Sequence, residues 1–179
     1  MPSPIAHSVT GYAISYIWAS RANLRAKLPR HWLPFLGVFV AVAADLDFIP
    51  QILTGDRYHH GLTHSITFAV AVALIVWGIA AYIHQHNRTF QLALLTLVLY
   101  SSHLALDLIT QNSSGIQLFW PFSTELYQSS ITIFPSTYWS EPLLQHPGHF
   151  IFIAFELGYT ALLISGLRFV KIRKKQLRE

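Results

Sequence analysis

FQLALLTLVLYSSHLALDLIT, residues 90–110, is an apolar run long enough to cross a lipid bilayer, and it carries His103 and Asp107 near its end. A hydrocarbon layer about 30 Å thick is spanned by roughly 20 helical residues. A spanning segment must satisfy its own backbone hydrogen bonds, so this run is predicted to be a helix despite its Val, Ile and Thr. Ionisable residues inside such a helix are costly and usually mark a functional position.

The rest of the chain repeats this pattern. Residues 32–53, 63–84 and 149–170 are apolar runs of similar length, and a shorter run covers residues 5–20. Over the whole chain 53% of residues are hydrophobic and only 11% are charged, which excludes a water-soluble domain. We predict an all-α fold, a polytopic transmembrane bundle of about five helices that forms a single integral membrane domain over residues 1–179. The first run is marginal in length and polar in part, so a re-entrant segment is its alternative.

The positive charges predict the orientation of these helices. Eleven of the twelve Lys and Arg residues lie in the loop after the first run, in the turn before residue 90 or in the C-terminal tail. Short loops rich in cations stay on the cytoplasmic side, so the N-terminus is predicted outside and the C-terminus in the cytoplasm. The cations suit anionic lipid headgroups and need no nucleic acid to explain them. Residues 111–148 then form an outer loop without Lys or Arg.

This topology places ionisable residues from several segments at the same outer face, whereas His31, His84 and His86 fall on the cytoplasmic side. Imidazole and carboxylate together suit Zn²⁺, or Mn²⁺ as a neighbouring first-row ion, better than Ca²⁺. Thiolate ligands are excluded because the chain has no Cys. The competing interpretation is polar packing between helices, but carboxylates within bilayer helices favour a metal site. The candidate metal ligands are His7, Asp45, His59, His60, His64, His103 and Asp107.

Spacing along the helices supports two ligand pairs. Residues four apart share a helix face, so His103 and Asp107 form one pair. His60 and His64 form a second pair if their helix begins early.

Asp45 and Asp47 are two residues apart, which puts them on nearly opposite faces of a helix. Both can reach one site only if the helix loosens, and Pro50 favours this because it removes the hydrogen bond to the carbonyl of Leu46. We expect Asp45 to be a ligand and Asp47 to support another ligand or to bind a second metal.

Three sequence elements, followed by a stretch from Gly115 to Pro121, resemble a known family: Asp45-Leu-Asp47, His59-His60-Gly-Leu-Thr63-His64-Ser65 and His103-Leu-Ala-Leu-Asp107. From His7 to about Phe122 the chain is similar to the YdjM-like family of inner-membrane metal-dependent hydrolases. That family is distantly similar to zinc-dependent phospholipases C and related single-strand nucleases, in which clustered His and Asp residues hold several zinc ions. The resemblance implies phosphoester hydrolysis at a bacterial inner membrane.

The resemblance assigns metal ligands to this chain residue by residue: His7, Asp45, either His59 or His60, His103 and Asp107. The sequence departs from the pattern at His60, where the YdjM-like proteins usually have Arg. It also lacks a clean match to the second late His-x-x-x-Glu pair of the soluble enzymes, for which His149 with Glu156 is the nearest substitute.

The implied reaction suggests roles for three further residues in the same motifs. Metal ions activate a water and polarise a phosphoryl oxygen in such reactions. Asp47 is then a candidate to orient that water or to act as a general base. Thr63 or Ser65 is a candidate to hydrogen-bond a ligand and fix its orientation.

The position of the site suggests the substrate class. A site in the outer leaflet, covered by the loop 111–148, can take a headgroup from the bilayer, so a phospholipid or a lipid-linked phosphate is the expected substrate. A metal-binding transporter is the alternative, although the inner halves of the helices are mostly apolar where a pathway needs polar residues. A non-catalytic membrane scaffold stapled by metal is a third interpretation. The oligomeric state is not predicted.

Overall fold

A computed structural model of the chain describes residues 2–21, 32–55, 59–84, 89–111, 113–135 and 147–176. The predicted all-α architecture is confirmed, because these residues form helices and no strand, with only two isolated β-bridges in the segment after residue 109. The α-helices are α1 (Pro4–Arg21), α2 (Trp32–Val42), α3 (Phe48–Thr54), α4 (Ile66–His84), α5 (Thr89–Leu108) and α6 (Pro147–Gln176).

Four helical segments of the described chain are long and apolar enough to cross a membrane: Trp32–Thr54, Ile66–Ile83, Thr89–Leu108 and Pro147–Arg173. They match the four long runs of the sequence, and α1 is not one of them. A crossing by α1 therefore stays a prediction. The outward faces of the spanning helices carry large apolar side chains that no other part of the bundle covers, and only 6% of the span in α6 is buried. Such faces are suited to contact with lipid.

The span Trp32–Thr54 is not one continuous α-helix. A 3₁₀ segment, Ala43–Asp47, separates α2 from α3, and Pro50 lies in the first turn of α3. The expected loosening of the helix is therefore present where the two aspartates lie. A 3₁₀ helix turns about 120° per residue, so Asp45 and Asp47 diverge but do not oppose each other.

The prediction that His60 and His64 share one face of an early-starting helix is wrong. The helix α4 begins only at Ile66, after a short 3₁₀ turn, Leu62–His64. His60 has φ of 72°, a left-handed conformation that an L-residue rarely adopts and that cannot continue a helix. The two rings still come together, with their centroids 5.2 Å apart. The non-helical turn before α4, and not the spacing of residues on a helix, brings the two rings together.

The helix α5 lies at the centre of the bundle, in contact with α1, α2 and α4. Its buried side chains form the main apolar core with residues of α2 and α4 and with Ile116 of the outer segment. This core fixes the end of α5 that carries His103 and Asp107. The core residues of α5 are Leu95, Leu99, Tyr100 and Leu104.

Two glycines let α1 and α2 approach closely. A Cβ atom added at Gly11 would overlap the carbonyl oxygen of Gly37 and the methyl group of Ala41, and one at Gly37 would meet Ser15. Close backbone approach through small residues is the usual way in which helices associate in membranes. The contact holds α1 against the bundle, one turn away from His7.

We expect Gly11→Ala to destabilise the protein by about 1–3 kcal/mol, because the added methyl group has no room between α1 and α2. Thermal unfolding in detergent measures this change. Gly78→Ala is the matched control, since a Cβ there meets nothing within 4 Å, and it should leave the stability unchanged or slightly higher. Equal unfolding temperatures for the two variants would contradict the proposed packing.

Candidate metal centre

The predicted ligands come from chain segments that end on the same side of the bundle. His7 lies near the start of α1, Asp45 in the 3₁₀ segment after α2, and His103 and Asp107 near the end of α5. His64 lies in the turn just before α4. Antiparallel neighbours alternate in direction, so these five positions meet at one end, and α4 ends at His84 on the opposite side. His31 and His86 lie outside the described residues.

Four side-chain atoms form the centre of this cluster. The Nε2 atoms of His64 and His103 lie 3.2 Å apart. Two carboxylate oxygens lie near both nitrogens. Oδ2 of Asp107 is 3.4 Å from His64 Nε2 and 3.0 Å from His103 Nε2. Oδ1 of Asp45 is 3.7 Å from His64 Nε2 and 3.5 Å from His103 Nε2. Ligands about 2.0–2.1 Å from a tetrahedral ion are about 3.3 Å from each other. Five of the six distances among these four atoms, 3.0–3.7 Å, are close to that value.

His7 extends the cluster on the α1 side. Its ring stacks on that of His103 with centroids 3.9 Å apart, and its Nε2 lies 3.5 Å from Oδ1 of Asp107. Asp107 therefore has one oxygen toward His7 and the other toward His64 and His103. Three overlapping groups have ligand atoms within 4.8 Å of one another: His7 with His103 and Asp107, Asp45 with His64 and His103, and His59 with His60 and His64.

The cluster contains buried polar atoms that no protein group satisfies. Ten buried side-chain atoms in the described part of the chain lack a hydrogen-bond partner, and seven of them belong to His7, Asp45, His60 and Asp107. Buried polar groups in folded proteins are normally paired, so unpaired atoms converging on one point need an explanation. A cation held between them would supply it, and imidazole with carboxylate is a donor set that suits a first-row divalent ion.

The far nitrogens of two histidines are held by backbone carbonyls. The Nδ1–H of His103 donates to the carbonyl of Ala41 at 2.7 Å, and that of His60 donates to the carbonyl of Gly115 at 2.9 Å. These bonds leave each Nε2 atom as an acceptor facing the cluster. Metal-binding histidines are usually oriented in this way by their second nitrogen.

Asp47 has a different environment from Asp45. It is buried, and its Oδ1 accepts from His59 Nδ1 at 2.7 Å while its Oδ2 accepts from Thr63 Oγ1 at 2.7 Å and lies 3.1 Å from His64 Nδ1. Because a carboxylate only accepts, both imidazoles carry their proton on Nδ1. The two aspartates thus lie against opposite nitrogens of His64. These contacts favour the supporting role expected for Asp47, and its catalytic role stays a prediction.

The electrostatics of the turn before α4 favour positive charge at His64 and a neutral ring at His60. Burial lowers the pKa of His64, but the carboxylates of Asp45, Asp47 and Asp107 outweigh burial and raise this pKa to about 9. Burial, together with neighbouring His59 and His64, lowers the pKa of His60 to about 4. The same three carboxylates favour a metal ion at His64 Nε2, which would replace the proton there.

The other two residues with predicted roles lie beside His64. Thr63 donates its hydroxyl to Asp47, which agrees with an orienting role. The hydroxyl of Ser65 donates to the carbonyl of Leu62 and accepts from the N–H of Phe68, so it caps the start of α4. A role for Ser65 toward a ligand stays a prediction that these contacts do not favour.

Sequence reasoning missed two residues that shape the site. The hydroxyl of Tyr100, a fully buried residue, donates to the carbonyl of Thr63 at 2.7 Å and so ties α5 to the turn that carries His64. Tyr100 is three residues before His103, and this helical spacing was the available signal. Gly115 has φ of 82°, and a Cβ there would lie 2.8 Å from the carbonyl oxygen of Tyr127. Gly115 therefore permits the close packing of the outer segment that holds its carbonyl against His60, and no sequence pattern indicated this.

We expect Tyr100→Phe to weaken metal binding several-fold, because the buried carbonyl of Thr63 loses its partner and the His64 turn loosens. Competition with a chromophoric chelator measures the affinity. Tyr12→Phe on the exposed side of α1 is the control and should bind as the wild type does. An unchanged affinity in Tyr100→Phe would show that the turn is held by other contacts.

Glu156 lies in a separate polar contact. Its carboxylate accepts from the backbone N–H and the hydroxyl of Ser3, just before α1. It therefore binds the N-terminal end of α1, where a negative charge is favourable. His149 is buried near the start of α6. Neither residue belongs to the three ligand groups of the described chain.

Comparison with known proteins gives one match. A family model described as YdjM inner membrane protein matches residues 1–176. No curated protein and no solved structure matches the chain.

Proposed function

The chain belongs to the YdjM inner membrane protein family, and from its buried His and Asp cluster we propose that it is a membrane-embedded, metal-dependent hydrolase. Its substrate is a phosphoester of a phospholipid or a lipid-linked phosphate, and its site lies at the outer face of the inner membrane. The N-terminus is outside and the C-terminus is cytoplasmic, as the distribution of Lys and Arg indicates. The observation that carries the proposal is the spacing of 3.0–3.7 Å among two imidazole nitrogens and two carboxylate oxygens.

The metal is proposed to be Zn²⁺, with Mn²⁺ as the alternative. A divalent ion in this cluster supplies a water of lowered pKa and polarises a phosphoryl oxygen. His64, His103, Asp45 and Asp107 would hold it, and His7 with His59 and His60 offers further donors beside them. Several first-row ions share this donor preference, and zinc is proposed because imidazole with carboxylate is a donor set that it commonly takes.

The chain's own residues set the conditions for the reaction. Asp47 and Thr63 hold His64 with its Nε2 toward the cluster, and the carbonyl of Ala41 does the same for His103. The almost complete burial of the cluster excludes bulk water from most of the ligands. Asp45 is the most exposed of the central ligands, with 12% of its side chain accessible, so the substrate phosphate enters beside it.

Hydrolysis by protein purified in detergent tests the proposal. Zinc-loaded or manganese-loaded protein is incubated with phospholipids and with lipid phosphates, and the released headgroup or phosphate is quantified. We expect release that a chelator stops and that Asp45→Ala lacks. Metal-loaded protein without release from any of these substrates would overturn the hydrolase assignment. Metal flux into vesicles that contain such protein would then indicate the transporter, and metal-dependent stability without flux the scaffold.

A further inference from the structure

Within the described residues, the candidate centre is accessible beside Asp45 and at the His59–His60 turn. The side chains of His7, His64, His103 and Asp107 are fully buried, whereas Asp45 is 12% and His59 is 10% accessible. A substrate therefore reaches the ligands beside Asp45 and His59. The chemistry of the surface around these two residues decides which molecules can approach.

The helix α3 forms one border of this opening. The ring of Phe48 stacks on His59 with centroids 3.8 Å apart, and the side-chain oxygen of Gln51 accepts the backbone N–H of His59 at 3.0 Å. Its other face is uncovered, since no residue of α3 is buried. Three aliphatic side chains, Ile49, Ile52 and Leu53, stand exposed there, and exposed Leu46 precedes them.

We propose that this α3 face, formed by Leu46, Ile49, Ile52 and Leu53, holds the acyl chain of a lipid whose phosphate headgroup enters beside Asp45. The inference rests on the proposed function and adds the route and the binding surface of the substrate. The lipid reaches the centre laterally from the bilayer. The α3 face is thus a specificity surface that favours lipid esters over water-soluble ones.

The apolar character of the α3 face favours a lipid occupant. The face belongs to the apolar span Trp32–Thr54, whose length and composition suit a membrane crossing. Its large exposed aliphatic side chains favour an acyl chain, which is recruited by apolar contact, over a water-soluble phosphate ester.

The outer segment that contacts the His59–His60 turn also carries exposed apolar side chains. The N–H of Gln117 donates to the carbonyl of His60 at 3.0 Å, so this segment lies against the turn. Just beyond it, Phe119 and Phe122 are exposed. Aromatic side chains of this kind are typical of the interface between lipid and water. The outer segment beside the turn thus adds apolar surface near the centre.

Photo-crosslinking in vesicles tests the lipid contact directly. The chain has no Cys, so Ile52→Cys places one photoreactive label on the α3 face. Leu162→Cys is the matched control, because residues 52 and 162 are similarly exposed and residue 162 lies on α6 away from the centre. The vesicles contain phosphatidylcholine with a minor fraction of phosphatidic acid and phosphatidylglycerol. We expect one minor lipid to be crosslinked at residue 52 several-fold above its bulk fraction, and none enriched at residue 162.

A kinetic comparison separates this inference from the proposed function. Ile52→Ala/Leu53→Ala should raise the KM for vesicle lipid by about tenfold and leave the hydrolysis of a water-soluble phosphate ester unchanged. The same lipid composition at residues 52 and 162 overturns the inference, and hydrolysis in that protein would leave the proposed function intact. Enrichment at residue 52 without hydrolysis of any substrate supports the α3 contact and overturns the hydrolase assignment.

Discussion

Asp107→Asn is expected to make the metal-free protein more heat-stable and to abolish its stabilisation by metal. The two carboxylate oxygens of Asp107 are fully buried, and the side chains of His7, His64 and His103 lie 3.0–3.5 Å from them. Without a metal, the positive charge at His64 offsets only one of the three carboxylates Asp45, Asp47 and Asp107, so the excess negative charge is costly, and Asn removes one charge at nearly the same volume. With a metal, the neutral amide is a far weaker ligand than the carboxylate.

Thermal unfolding with and without added zinc measures both effects. The wild type should gain about 2.7 kcal/mol when free zinc is about 100 times its Kd, and Asp107→Asn should gain almost nothing. Stability given up in exchange for function is typical of active sites. If Asp107 instead serves only as a hydrogen-bond partner between helices, Asp107→Asn should lower the stability of the metal-free protein. Zinc should then stabilise the wild type and the variant equally little.

Asp47→Asn is expected to lower turnover by about 10–100-fold while metal remains bound at saturating concentration. Asp47 accepts from His59 and Thr63 and lies against the Nδ1 of His64. An amide has only one accepting oxygen, so its NH₂ group must face one of these donors. The orientation of His64 is then lost although every proposed ligand remains.

Thr63→Val is the matched variant, because it removes one of these hydrogen bonds and leaves the carboxylate in place. Its turnover should fall less than that of Asp47→Asn. Headgroup release and elemental analysis of the same preparations provide the two readouts. Full turnover in Asp47→Asn would contradict both a base role and an orienting role for this residue.

The apolar runs predicted the helical architecture because a bilayer leaves the backbone few alternatives. Run lengths placed the four spanning segments within a few residues of their observed bounds. The path of the chain between helices was not predictable in this way. The left-handed backbone at His60 and the closely packed turn at Gly115 depend on contacts with residues distant in sequence, such as Tyr127.

Topology also predicted which histidines meet, because the direction of each span fixes the side on which its end lies. It could not distinguish Asp45 from Asp47 in detail. Their difference comes from the 3₁₀ segment, which directs Asp45 toward His103 and Asp47 toward His59. Tyr100 was missed for another reason. Its three-residue spacing from His103 places it on the same helix face, but a tyrosine in a spanning helix usually packs with apolar neighbours, and the bond to Thr63 was not predictable.

The most direct test of the central claim is the metal content of the detergent-purified protein, determined by elemental analysis beside His103→Ala and Asp107→Ala. Both residues lie at the centre of the cluster, 3.0 Å apart between Nε2 and Oδ2. We predict stoichiometric zinc or manganese in the wild type and its loss in both variants. Folded wild-type protein without bound metal, or variants that retain the full complement, would contradict the account.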